Sequence, residues 1–523
     1  MPTATAKNHK SKQHHQSPVK ARPGWATFIE RRELTFVKVL CLLAGLRILI
    51  FAAALPFYNN VDEGAHFELI CKYSMGHVPK HIEHYSQEAS RLLAFTFSPE
   101  YYELTPGMTA NTLQSPLWQE SKYKVERSLE VYLPYILRKT NHESTQPPLY
   151  YVIAGLWFRL GKLLGLGGGH LVYWLKLIDV LVYMPFVWVS YLFARKFYGH
   201  NEFVRLGVPL LLVVFPQDVM YSLNNDVLTP LLFGVSFYCL MQILASERKG
   251  YGFHLLTGLA VAATFMNKFT NLPILVVLAV VAILRLLRLR GTDRIGQELP
   301  KLAAMGAFSA ALIAPWLIRN HLVLGDMAGA AAKIQRLGWT PKPFAAIWHH
   351  PIFTPKGAIF FWDGLMKTYW RGEVVWFGKA MAVSGVDLFY VLSTTLFLAA
   401  SVAALWLLRK TEPQEQRSAS GMGLLVFAVS VAFIGILSTL YDYGTCQYPT
   451  RAHPFLVSGR LLCGTMIPFA ALYLYGLDFI LGKIGLAGRR WLVLGAIIAV
   501  ILLSEIAVTA PAFGSLFNWY HML

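Results

Sequence analysis

The stretch FVKVLCLLAGLRILIFAAALPFYNNVDEGAHF, residues 36–67, decides how the rest of the chain is read. Its first part, 36–57, is apolar apart from Lys38 and Arg47, and is long enough to cross a hydrocarbon core of roughly 30 Å. Directly after it come Asp62, Glu63 and His66. Two adjacent carboxylates at a membrane boundary are costly unless they pair, bind a metal or take part in chemistry. His66 lies four residues after Asp62, so on a helix the two share a face.

Further apolar blocks follow at 148–166, 171–195, 203–222, 226–246, 252–267, 271–289, 301–319, 386–408, 421–441, 455–481 and 491–511, twelve with the first. Of the 523 residues 55% are hydrophobic and only 15% charged, where a soluble chain carries about 25% charged residues. The expected fold is therefore all-α, a polytopic transmembrane helical bundle of 12–13 spans with interfacial helices in its external loops.

A net charge of +18 could suggest nucleic acid, but its distribution excludes that partner. Basic residues gather at the ends of apolar blocks, at Arg195-Lys196, Arg248-Lys249, Arg285 to Arg294, Arg409-Lys410 and Lys483 to Arg490. This is the positive-inside pattern of cytoplasmic loops. It predicts a cytoplasmic N-terminus, with residues 1–34 a disordered basic arm, and puts 58–147, 320–385 and 442–454 outside. No cleavable signal peptide is visible, since the first apolar run is too long for one. One count does not close: from residue 147 outside to Arg195 inside needs an odd number of crossings, yet two apolar blocks lie between. A broken or re-entrant block, or a thirteenth crossing, would reconcile them.

The divisions expected are a first transmembrane module over 35–319, the external segment 320–385 with its tryptophans, and closing helices over 386–523. In the loop 58–147, SQEASRLLAFTF and YKVERSLEVYLPYILRKT have helix-like apolar spacing flanked by charge, as interfacial helices do. The five cysteines form no CxxC pair. Cys71 and Cys446 would both face outside, but spacing alone does not establish a disulfide.

A second acidic cluster, Asn224, Asn225 and Asp226, interrupts an apolar hairpin on the same external side. Asn and Asp are ordinary turn formers, so a plain turn is the competing reading. Cations on that side, Lys268, Arg319, Arg371, Arg451 and Arg460, run against the positive-inside bias. Snorkelling to the interface explains many such residues; several around one cavity would suit a phosphate. Arg47, Asp179 and Glu505 lie within spans and are expected to hold helices together.

The segments NNVDEGAHFELICKYSMGHVP (59–79), STQPPLYYVIAGLWF (144–158), NNDVLTPLLF (224–233), PWLIRNHLVLGD (315–326), TYWRGEVVWFG (368–378) and SGRLLCGTMIPF (458–469) resemble, in order, motifs of the GT-C superfamily of membrane glycosyltransferases. Protein O-mannosyltransferases and aminoarabinose transferases belong to that superfamily, and the likeness is strongest to an uncharacterised bacterial branch. The resemblance implies a GT-C fold and an inverting transfer of sugar from a polyprenyl-phosphate-linked donor to an acceptor of unknown kind (glycan, lipid or protein). It places the reaction on the external face of a bacterial-type inner membrane, with membrane lipid in contact. It implies Asp62 as general base with Glu63 beside it, and Asp226 as the second acid. Lys268, Arg319, Arg460 and Arg371 would bind the donor phosphate, with His66 and Asn225 behind them. The first loop has no strict DxD, so a divalent metal cofactor stays open and no metal ligand is assigned. The rival from another class is a transporter or flippase for a lipid-linked or anionic substrate, which would carry its acids at the membrane midplane rather than at the outer interface.

Overall fold

The computed structural model describes residues 24–104, 113–245, 249–446 and 448–522. The described residues form eighteen α-helices. Helix α1 (Gly24–Ala54) precedes three helices of the first loop, α2 (Glu63–Ser74), α3 (Gln87–Thr96) and α4 (Lys122–Leu137). Then come α5 (Leu149–Leu163), α6 (Gly168–Phe197), α7 (Glu202–Val213), α8 (Thr229–Ala245), α9 (Tyr251–Asn267), α10 (Pro273–Leu289) and α11 (Ile295–Leu324). The second loop carries α12 (Ala330–Arg336), α13 (Phe344–Ile347) and α14 (Pro355–Arg371). The chain closes with α15 (Ser384–Leu407), α16 (Gln414–Thr439), α17 (Met466–Lys483) and α18 (Arg490–Phe513). Strand pairing among the described residues is limited to two-residue pairs and one isolated bridge.

Each of the twelve apolar blocks holds an α-helix, but among the described residues nine rather than 12–13 helices are long and apolar enough to span by themselves. The other three, α5, α7 and α9, have fifteen, twelve and seventeen residues. The ends of the helices define two faces. Lys196–Glu415, Arg205–Glu33 and Arg490–Asp478 ion pairs tie one face together; the loop helices α2 to α4 cover the other. Helix α5 does not pass between the faces. Tyr151 near its start meets His66 of α2, and Lys162 at its end pairs with Glu88 of α3 at 2.7 Å. One crossing, by α6, therefore separates residue 147 from Arg195, and the sequence count closes without an extra span. At the other end of the chain, Trp519 stacks on Tyr173 at 4.1 Å and Gln119 donates to the His521 carbonyl, so residues 514–522 sit on the loop face.

Other expectations shift. Residues 1–23 of the basic arm lie outside the described residues, and 24–34 are the first turns of α1. The tryptophans of 320–385 divide between surface and core. Trp348 is exposed, whereas Trp370 is fully buried between Phe215 and Tyr390, at 4.6 and 4.8 Å between ring centroids. Its N–H reaches Thr394. Cys71 is buried, Cys446 is partly exposed, and all five cysteines are unpaired, so no Cys71–Cys446 bridge forms.

Between helices in lipid, close packing replaces the hydrophobic drive, and small residues permit it. A Cβ on Gly155 would stand 2.9 Å from the Ser74 backbone nitrogen, and one on Gly258 2.7 Å from the Met305 carbonyl oxygen. Glycine at these two positions lets α5 press on α2, and α9 on α11. The buried charges of the spans are mostly paired: Arg47 donates to Glu505 and to the carbonyls of Val213 and Phe215, with Tyr221 on the same carboxylate.

Candidate functional site

Asp62 closes the turn between α1 and α2. Its backbone is left-handed, φ 61° and ψ 7°, and its carbonyl accepts from Ala65 and His66. An aspartate at a helix N-terminus ordinarily turns its side chain onto the first free N–H groups. Here the carboxylate makes no such bond and faces away, into a cleft. Oδ1 lies 3.1 Å from His142 Nε2, and Oδ2 accepts from Arg460 Nη2 at 2.8 Å.

From Asp62 the charges run in two directions. The same His142 nitrogen lies 3.2 Å from Glu143, which pairs with Lys333 at 2.6 Å and accepts from Gln146 at 2.5 Å. On the other side, Arg460 Nη1 stands 3.7 Å from Asp226, whose second oxygen pairs with Lys268 at 2.6 Å. Glu373 accepts from Ser458, two residues before Arg460, and feels the guanidinium charge. Four carboxylates (Asp62, Glu143, Asp226, Glu373) thus face Arg460, Lys268, Lys333 and His142. Asp62 and His142 are about a third exposed and form the mouth of the cleft, while Asp226 forms its buried floor.

Burial alone would raise the Asp62 carboxyl, but His142 and Arg460 hold it well below the usual carboxylate range. Glu143 is likewise held low, by Lys333 and His142 against its burial. Burial works against a charged His142, yet its bonds to Asp62 and Glu143 outweigh this and lift the imidazole to about 9. Burial pushes Lys268 down, partly offset by Asp226. With these shifts Asp62 and the buried Glu143 are anions and His142 is a cation at neutral pH.

Each side chain has a local reason for its place. The Asn224 side chain accepts from the Asp226 backbone and turns the chain into α8. Asn225 and Asn267 exchange amide-to-carbonyl bonds, at 3.3 and 2.8 Å, locking the α8 start beside the α9 end that carries Lys268. Asn141 donates to the Ala65 carbonyl and to Glu68, pinning the 141–146 turn to α2. Asp218 accepts from the backbones of Glu373 and Val374, both at 2.7 Å, while Asn60 accepts from Val375.

Residues 46–442 match the model of the family described as Predicted membrane protein (DUF2142). The chain belongs to this family. No curated protein matches its sequence. The span shared with the DUF2142 family holds seven of the eight charged residues of the cleft and stops before Arg460.

Of the residues singled out from this DUF2142 sequence, Asp62, Asp226, Lys268 and Arg460 meet in the cleft. Asn225 and His66 stand behind it, His66 buried with Nδ1 2.7 Å from the Tyr151 hydroxyl. Burial pushes its imidazole down to about 4, so it is neutral. Glu63 does not stand beside Asp62. It is fully buried on the other side of the turn, 3.3 Å from Lys176, and accepts from the Asn59 and Leu223 backbones. One step along a helix rotates a side chain by about 100°, which separates neighbours in sequence. Arg319 packs on Trp316 and donates to the Pro79 carbonyl, away from the cleft. Arg371 pairs with Asp387 at 2.8 Å; two residues on, Glu373 is the member of that motif that faces Arg460.

His142, Glu143, Lys333 and Glu373 were not singled out from the sequence. His142 and Glu143 directly precede the quoted STQPPLYY segment, and that adjacency was the available signal. Asp62, His142 and Glu143 are also the one group among the described residues whose ligand atoms lie within 4.8 Å of one another, as a divalent cation would need. Arg460 and Lys333 already stand against those carboxylates, so the donor set is charge-balanced by the protein's own side chains.

Proposed function

We propose that the protein is an inverting glycosyltransferase that moves a sugar from a polyprenyl-phosphate carrier to an acceptor hydroxyl, with the loop face lying on the external side of a bacterial-type inner membrane. The observation that carries this reading is Arg460 spanning Asp62 and Asp226. Its Nη1 and the Asp226 Oδ2, both buried, have no hydrogen-bond partner, and Lys268 is adjacent. A buried guanidinium atom without a partner is costly, and a phosphate oxygen would satisfy it.

In the reaction, the acceptor oxygen attacks the anomeric carbon, its proton passes to the Asp62 carboxylate, and the bond from that carbon to the phosphate oxygen breaks. The carrier phosphate leaves against Arg460 and Lys268. A carboxylate held by Arg460 and His142 is a weak base. Moving Arg460 onto the phosphate raises its basicity toward the working pH, where a general base contributes about 10²–10⁴-fold. Donor binding thereby primes the base. Asp226 and Lys268 sit at helix ends rather than mid-span, which favours transfer over transport.

The transporter or flippase reading draws on Asp179, whose two carboxylate oxygens are buried within α6 without hydrogen-bond partners. One experiment separates the two. Wild type and Asp62→Asn, purified into lipid, are assayed for binding and turnover of a panel of polyprenyl-phosphate sugars. Transfer predicts retained binding and turnover reduced at least about 10²-fold in the variant. Failure of the wild type to bind any carrier lipid would overturn it.

A further inference from the structure

A second feature lies apart from the charged cleft, where α3, α4 and the α5–α6 corner enclose a groove of about 460 Å³. Leu92, Phe95, Val125 and Leu129 supply apolar walls, and Glu88, Arg91 and Lys162 stand at its polar side. The corner is the sequence LLGLGGGH (163–170), in which Gly168 takes a left-handed φ of 54° against the Phe95 ring. Leu163 and Leu164, at the corner, are 83% and 60% exposed, more than water-facing leucines warrant. Helix α4 has no buried residue, and Tyr123, Val131, Tyr132 and Tyr135 are exposed along it. Exposed apolar and aromatic side chains on a polar helix mark a membrane interface.

The charges of the groove are not balanced. Lys162 pairs with Glu88, whereas Arg91 is exposed and makes no hydrogen bond or ion pair among the described residues. We infer that this groove binds an anionic phospholipid, with part of one acyl chain between α3 and α4 and the phosphate on Arg91 beside Lys162. Three things select that occupant: an apolar groove at a corner that carries two exposed leucines, a single unpaired cation at its polar side, and guanidinium geometry suited to phosphate oxygens. The bound lipid would fasten the loop helices to the membrane beside the helix that begins at Asp62, since Leu93 of α3 packs on Gly64. The inference does not depend on the transfer reading.

The test is native mass spectrometry of the detergent-purified full chain, titrated separately with phosphatidylglycerol, phosphatidylcholine and a polyprenyl phosphate. Wild type is expected to retain one phosphatidylglycerol in preference to phosphatidylcholine. Arg91→Gln should weaken this about 10-fold or more, the usual weight of a hydrogen bond to a charged group. Val125→Trp, filling the groove, should abolish it, and Arg460→Lys should leave it unchanged. Equal retention of the two phospholipids, wild-type retention by Arg91→Gln, or displacement by the polyprenyl phosphate would each overturn the assignment. Arg91 is exposed and makes no hydrogen bond or ion pair among the described residues, so its variant folds and decides the matter even where the tryptophan variant does not.

Discussion

Arg460 reaches Asp62 across 398 positions of the chain, at 2.8 Å, and the same guanidinium stands 3.7 Å from Asp226. One side chain from the entry to α17 thus ties the start of α2 to the start of α8. The pairing joins three parts of the fold that share no local sequence, and whatever binds between them is read by all three.

Arg460→Lys tests that geometry directly. A lysine keeps the charge but presents one nitrogen where the guanidinium presents two to separate acids. Loss of one charged contact costs about 1.5–3 kcal/mol, so donor affinity should fall roughly 10- to 100-fold, measured by lipid titration. Unchanged affinity would remove Arg460 from phosphate binding.

Glu63 and Asp62 should respond in opposite ways. Glu63→Gln leaves Lys176 charged and unpaired in the bundle, a loss of about 3–5 kcal/mol for a broken buried pair. Its melting temperature in detergent should drop clearly. Asp62→Asn, at a mouth where His142 keeps Glu143 and Arg460 keeps Asp226 as partners, should lose less in melting temperature than Glu63→Gln and lose turnover instead. A catalytic Glu63 would show the reverse, with near-normal melting and no activity.

The pH dependence has two limbs with different owners. His142, raised to about 9 in the fold against about 6.5 unfolded, contributes stability that is full below about 6.5 and lost as pH rises through about 9. His66, lowered to about 4, contributes stability that is full above about 6.5 and lost as pH falls toward about 4. Asp62 and Glu143, held low, add a further loss at more acidic pH. Melting temperature should therefore peak near pH 6.5. His142→Gln should flatten the alkaline limb and leave the acid limb; an unaltered alkaline limb would show that His142 is not charged.

Arg319 offers a negative control. Its guanidinium packs on Trp316 and bonds the Pro79 carbonyl, outside the cleft. Arg319→Gln should keep carrier binding within about twofold of wild type, while Lys268→Gln, which removes the 2.6 Å cation from Asp226 and leaves it only the longer contact with Arg460, should lose it. A large loss on Arg319→Gln would place the donor along the α11 end instead.

The sequence by itself determined the membrane class, the positions of all twelve apolar helices, and which acids and cations belong to one side. These follow from hydropathy and from charge at helix ends, both local properties of the chain. It could not determine that α5 stays on the loop face, because a fifteen-residue apolar helix reads the same whether it crosses or packs along the bundle; the Lys162–Glu88 pair and the Gly155 contact decide that. Nor could it separate Asp62 from Glu63, or Arg371 from Glu373. Asp62 and Glu63 carry the same charge at adjacent positions, and only the rotation of the backbone sends one into the cleft and the other into the core; Arg371 and Glu373 are divided by which partner, Asp387 or Ser458, the fold brings to each. The partners His142, Lys333 and Arg460 come from three distant segments, so their meeting with Asp62 is a property of tertiary packing alone.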